Sequence, residues 1–360
     1  MSPTPLIPVF TYQLLNYQQE IPPVKKIDIF NHIWPKRFYD KLRDVTGKMT
    51  DITRRSEAVP MMTELDERFR IMDRFDEYSQ VLSLASPPLE IVAEPEQQVM
   101  LSRVGSEDMA ELCQKYPDRF PGYIASIPMG NPEEVLAETK YAIEQLNASG
   151  VQVFTNIKGK PLDHPDFVPV FDYMASIDRP IWIHPARGAL FADYKTEERS
   201  LYEIWWTFGW PYETSVAMAR LVFSKLFDKH PNIKIITHHG GGMIPFFEGR
   251  VGPGWDQLGA RTSHTDYSIL LKELKKRPFD YFKMFYADTA TFGSVAATEC
   301  SLAFFGADNV VFASDAPFDP EKGPMYIRET IKIIDNLNIS EADRAKIYYK
   351  NAQKLLKLKA

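Results

Sequence analysis

The chain has 360 residues, 44% of them hydrophobic and 25% charged, with a formal net charge of −6. That composition suits a globular protein of one large or two modest domains; it leaves no basic stripe for nucleic acid, and no run nears the ~18 apolar residues of a membrane span. Two cysteines, Cys113 and Cys300, lie far apart and outside any CxxC pattern, which argues against a disulfide framework and for a reducing, cytoplasmic setting.

Residues 1–25 lack a basic start followed by an apolar core, so they are not read as a signal peptide. Their prolines predict an extended arm, whose Phe10, Tyr12, Leu14, Leu15 and Tyr17 need a surface to cover, on the chain's own body or on a second subunit. Eight short apolar runs follow, at 26–33, 80–86, 122–129, 150–157, 180–186, 233–239, 282–290 and 309–316. Amphipathic stretches lie between them. One runs from Asn131, as cap, to Gly150, as stop; another ends in Lys229, His230 and Pro231. Strand then helix, repeated eight times, predicts a parallel sheet. Residues 26–360 have the length of one (β/α)8 TIM barrel, with its longest insertion at 187–213 after the fifth strand. An open doubly wound sheet is disfavoured because no glycine-rich phosphate loop follows the first strand.

Active sites of such barrels lie at the C-terminal ends of the strands. His32 ends the first run, Asn156 the fourth, His184 the fifth, His238 and His239 the sixth and Asp315 the eighth, and Asp288 comes late in the seventh. Four of the seven histidines thus fall at strand ends, where imidazole and carboxylate together suit a divalent metal. Strand alternation places Asp28, Phe30 and His32 on one face. It allows one inward side chain from the pair at 238 and 239; Lys234 shares the parity of His238 and is read as outward, which leaves His239 inside. Asp288 is read as orienting a histidine, with His238 beside it in support. The glycines after His239 suit either a tight turn or a close approach to ligand. Arg187 can clamp a carboxylate. Trp206 and Trp210, in the aromatic segment after strand five, and Trp34, just past His32, are candidates for stacking on a planar acid, and Asn156 joins the substrate-binding set.

The stretches "DIFNHIWP", "IHPARG", "THHGGGMIPFFEGR" and "FASDAPF" resemble the amidohydrolase superfamily. The branch they match is that of aminocarboxymuconate-semialdehyde decarboxylase and the resorcylate-type decarboxylases. The resemblance implies one divalent metal, zinc before manganese or iron, held by His32, His184 and Asp315, with His239 as the catalytic histidine. Asp315 doubles as a proton-handling group. Phe30 stands where that family places a first ligand, His or Glu, and phenylalanine cannot ligate.

The resulting expectation is a metal-dependent decarboxylase of an aromatic or unsaturated carboxylic acid. Hydrolysis of an ester, lactone or amide uses the same residues and is the first rival. A non-catalytic barrel paired with an active paralogue is the second. A homodimer or higher oligomer is expected from the arm, the aromatic insertion and the resemblance.

Overall fold

The computed structural model describes residues 24–47 and 51–358; the expected arm, apart from Val24 and Lys25, lies outside the described residues. The strands form where the apolar runs predict them: β1 (Lys26–Ile33), β2 (Tyr78–Leu84), β3 (Gly122–Ser126), β4 (Gly150–Phe154), β5 (Ile181–His184), β6 (Ile235–Thr237), β7 (Tyr286–Asp288) and β8 (Val310–Val311). They pair in that order, all parallel. Backbone bonds from Ile29 N to Phe312 O (3.0 Å), Asp315 N to Phe30 O (2.9 Å) and His32 N to Ala316 O (2.7 Å) join the continuation of β8 to β1 and close the barrel.

Alternation sorts the side chains into two layers. Val81, Ile124, Trp182, Ile236 and Val311 meet inside the barrel, whereas Leu82, Tyr123, Ile181, Ile183, Ile235 and Val310 pack outward under the helices. The helix Pro95–Lys115 is the longest; a reciprocal capping box of Glu94 and Gln97 satisfies its first turn. The segment expected to be one helix from 131 to 149 is shorter, Val135–Lys140 continued by a wider turn at Tyr141–Gln145, and Gly150 starts β4 instead of ending a helix. The insertion after β5 is irregular to Glu203. Its later part already belongs to Ile204–Thr207 and to the helix Gly209–Phe223.

β1 departs from simple alternation. Its register with β2 shifts between Asp28 and Asn31, and a bulge of this kind turns two successive residues to one side. Ile27, Ile29 and Phe30 all lie in the interior cluster. Asp28 does not share their face. It accepts from Tyr78 Oη (2.5 Å) and from Ser314, and burial pushes its carboxyl up to about 6 against those hydrogen bonds. Beside it Arg68, from the helix Leu65–Met72, is fully buried. It donates to Gln80 Oε1 (2.6 Å), Asn31 Oδ1 (3.2 Å), Met61 O (3.1 Å) and the carbonyl of His32.

A second buried charge gives a prediction. Glu90, in the short helix after β2, is 2% exposed and its Oε1 has no partner. Burial lifts its carboxyl from 4.5 to about 7, although its own backbone N–H and Lys158 oppose the shift. Because the folded value lies above the unfolded one, the folded chain keeps a proton that the unfolded chain releases. The penalty therefore grows as pH rises from 4.5 to about 7. Glu90→Gln is expected to stabilise the fold by roughly 1–3 kcal/mol above neutrality and to have little effect near the lower end of that window. Urea unfolding at the two pH values checks it; equal effects at both would disprove the assignment.

Candidate active site

The strand ends bring His32, His184, His238, His239, Asp288 and Asp315 together, all buried except His239, which is partly so. His32 Nδ1 faces the carbonyl of Leu84 (3.3 Å), His184 Nδ1 that of Pro185 (2.7 Å), and His238 Nδ1 the carboxylate of Asp288 (2.9 Å). A carbonyl only accepts, so Nδ1 of His32 and of His184 donates the proton, and Nε2 turns toward the cluster. This is how ligating histidines are oriented from behind. Asp288 is itself fixed by N–H groups of Gly240 (3.0 Å) and Ala290 (3.1 Å). Burial raises its carboxyl to about 6, opposed first by the charge of His239.

Both members of the 238–239 pair face the cluster, and the expectation that only His239 would is corrected. Ile236 points into the barrel and shares parity with His238, which therefore also points inward. His239 is carried in by a positive φ of 56° that ends the strand. Asp315, at φ 62°, is presented in the same left-handed way. Two non-glycine residues in this region at one site mark local strain held by the surrounding fold. The glycines that follow serve the turn: a Cβ at Gly241 would lie 2.6 Å from the Phe305 ring, and one at Gly242 2.7 Å from Pro211 O.

Asp315 Oδ1 lies 2.9 Å from His32 Nε2, and Oδ2 lies 3.5 Å from His239 Nε2. Burial opposes ionisation of Asp315, but His239 and His32 outweigh it and hold the carboxyl well below the usual range. Burial also disfavours protonation of His239, and Asp315 overcomes it, so its pKa is raised. His184 and His238 titrate well below the ordinary histidine value, through burial first and neighbouring histidines next. They are neutral at pH 7, the state in which imidazole binds metal.

In kind and direction these donors fit a divalent cation. Two imidazoles on one ion stand with ring centres roughly 5–6 Å apart, and those of His32 and His184 are 5.8 Å apart. Among the described residues, however, no three His, Cys, Asp or Glu side chains are already closed around one point. Phe30 fills the space between them. Its ring centre lies 4.5 Å from that of His32, 5.6 Å from His184 and 3.3 Å from His238, on which it stacks.

A cavity of about 1030 Å³ opens above the cluster, with His32, His184 and Asp315 among its walls. Trp206 and Trp210 line it, joined by Trp205, Phe292, Phe318 and Tyr326. Trp34 does not. It is fully buried, stacks on Tyr39 (5.7 Å between centres) and borders a separate cavity on the far side of β1. Arg187 is already paired with Glu213 (3.1 Å), and Asn156 bonds Ala186 O (2.8 Å) and Glu213 (3.4 Å). These two brace the loops after β4 and β5. The cations that do border the cavity are Arg54, Arg55 and Arg199, which the sequence reading missed. The doublet at 54–55 sits on a helix, Asp51–Glu57, far from every strand-end signal.

An amidohydrolase family profile matches residues 27–358. The γ-resorcylate decarboxylase of Polaromonas sp. strain JS666 is 31% identical over 300 residues, covering 81% of this chain and 87% of that protein. The 2-amino-3-carboxymuconate-6-semialdehyde decarboxylase of Dictyostelium discoideum is 26% identical over 324 residues, covering 85% and 86%. A crystal structure of a dihydroxybenzoic acid decarboxylase from Polaromonas sp. JS666, with manganese and the inhibitor 2-nitroresorcinol bound, superposes with a TM-score of 0.74 at 27% identity, covering 93% of this chain and 97% of that one.

Proposed function

Because the chain belongs to the amidohydrolase family, we infer that it is a metal-dependent carboxy-lyase that removes CO₂ from a small aromatic carboxylic acid. The observation that carries this reading is the placement of His32, His184 and Asp315 in the wall of one aromatic-lined cavity, in a chain whose relatives are decarboxylases of aromatic or unsaturated acids. The hydrolase and non-catalytic readings have no observation of this kind behind them.

His32, His184 and Asp315 are the residues that would hold the ion. Bound there, a divalent cation supplies positive charge against the substrate carboxylate and an adjacent oxygen. Zinc is our first choice and manganese, the ion in the Polaromonas decarboxylase structure, the second. Trp206 and Trp210 flank the ring of the acid, and the guanidinium groups of Arg54, Arg55 and Arg199 draw an anion to the mouth. The chemistry then needs one proton at the carbon that bears the carboxylate. His239, whose protonated form Asp315 favours from 3.5 Å, is the group that holds this proton. Protonation of that carbon and cleavage of its bond to the carboxylate exchange H⁺ for CO₂. The bonding pair stays with the ring.

The unpaired Cys113 and Cys300 are in keeping with a cytoplasmic location. Leu190, Tyr194, Phe208 and Tyr212, exposed around the insertion after β5, support a homodimer as part of this proposal. The test is CO₂ release from a panel of hydroxybenzoates. Treatment with a chelator followed by gel filtration is expected to abolish it, and Mn²⁺ or Zn²⁺ to restore it. Turnover that persists with no detectable metal would refute the reading.

A further inference from the structure

Phe30 is fully buried at the centre of the cluster and has no atom with which to ligate. It also disables the nearest substitute. His238 Nε2 is buried and unpartnered, but the Phe30 ring stacks on the His238 ring with centres 3.3 Å apart. Moving His238 would also break its bond to Asp288. With His239 Nε2 turned to Asp315 Oδ2 at 3.5 Å and kept for the proton, the donors left are His32, His184 and Asp315. Two of them are engaged with each other at 2.9 Å, and the second oxygen of Asp315 faces His239. An entering ion must replace those contacts with no more than three protein bonds. The open side of all three donors is the wall of the 1030 Å³ cavity, so its remaining coordination positions face the place where an acid binds.

Resting on the reading above, we propose that Phe30 makes metal retention conditional on a chelating acid. His32, His184 and Asp315 hold a divalent ion firmly only when a bound acid supplies a carboxylate oxygen and a second oxygen on the neighbouring carbon. The thermodynamics is reciprocal: the acid tightens the ion by the factor by which the ion tightens the acid. A monodentate acid fills one position and leaves the ion loosely held. The arginines at the cavity mouth favour the anionic form of either acid, so they do not separate the two; the chelate does.

The experiment is a Mn²⁺ titration of the metal-stripped, full-length protein, reading free Mn²⁺ by electron paramagnetic resonance. It is run with no acid, with 2-hydroxybenzoate, and with its non-chelating isomer 4-hydroxybenzoate. We expect 2-hydroxybenzoate to lower the Mn²⁺ Kd by about tenfold or more, within the range of ordinary coupling between sites, and 4-hydroxybenzoate to leave it nearly unchanged. Phe30→His should bind Mn²⁺ tightly without acid and lose most of the dependence, whereas Phe30→Leu should behave as the wild type. If Phe30→His does not fold, the wild-type comparison decides alone. Equal Mn²⁺ affinity with and without 2-hydroxybenzoate, whether tight or weak, overturns the proposal; so does equal enhancement by both isomers. Acid-dependent binding with no CO₂ release from any hydroxybenzoate would leave this inference standing and remove the decarboxylase reading. Tight acid-independent binding with CO₂ release would do the reverse.

Discussion

Asp315→Asn is expected to cut kcat/KM for CO₂ release by about 10²–10⁴-fold and to strip the metal as well. Among the described residues this carboxylate is the one acid beside both His32 and His239, lying 2.9 Å from one and 3.5 Å from the other. An amide of the same shape keeps the volume but loses the charge that an ion needs and that favours the protonated form of His239. His239→Asn is the informative partner. His239 faces Asp315 from the side away from His32 and does not belong to the proposed ligand set. Its loss should lower kcat by a similar order while metal content, measured with saturating chelating acid, stays near the wild-type value. Elemental analysis beside steady-state kinetics separates the two. If Asp315→Asn kept both its metal and its turnover, the assignment of this carboxylate would fail. The same geometry fixes a pH trend. Asp315 titrates below its unfolded value, so its contribution to stability is complete above the unfolded carboxylate range and is lost as pH falls through the folded pKa.

The largest effect on stability is expected at Arg68. Its guanidinium is fully buried and satisfies Asn31, Gln80 and the carbonyls of His32 and Met61. No carboxylate touches it among these contacts. Burial, against the opposing charge of Asp28, lowers its pKa to about 10, which still leaves it charged at pH 7. Arg68→Met fits the volume and abandons four acceptors in the protein interior. A loss of roughly 3–5 kcal/mol is expected, as when one partner of a buried charged network is removed, with Tm lowered by about 10 °C. Arg68→Lys restores the charge without the planar fork and should recover only part of it. Because two of the bonds end on Asn31 and on the His32 carbonyl, the end of β1 loosens with them, and metal content should fall in step. Denaturant unfolding with a loss under about 1 kcal/mol would show that the network is dispensable.

Much of the architecture is legible without coordinates. Apolar runs such as "QVLSLAS" and "GVQVFTNI" are strands because a barrel strand is buried on both faces, and their order and parallel pairing follow from the helices between them. The histidines and aspartates at their ends were visible for the same reason: a strand's C-terminal end is a fixed place in this architecture. What failed was strict alternation. It predicted Asp28 on the face of Phe30 and His32, and one inward histidine at 238–239. A bulge and a left-handed residue broke the period at those two points, and the site is built there.

The sequence by itself determined the eight strands and the histidines and aspartates at their ends, because each is a property of residue type at a position along one strand. Only the tertiary structure decided which neighbours those residues meet. It turned Trp34 away from the cavity although it stands two residues from His32. It spent Arg187 on Glu213 and brought Arg54, Arg55 and Arg199 to the mouth from distant segments. Side-chain direction at a strand end depends on local twist, bulge and positive φ, and cavity walls are assembled from loops with no period to read. Neither is encoded within the few residues that carry the chemistry.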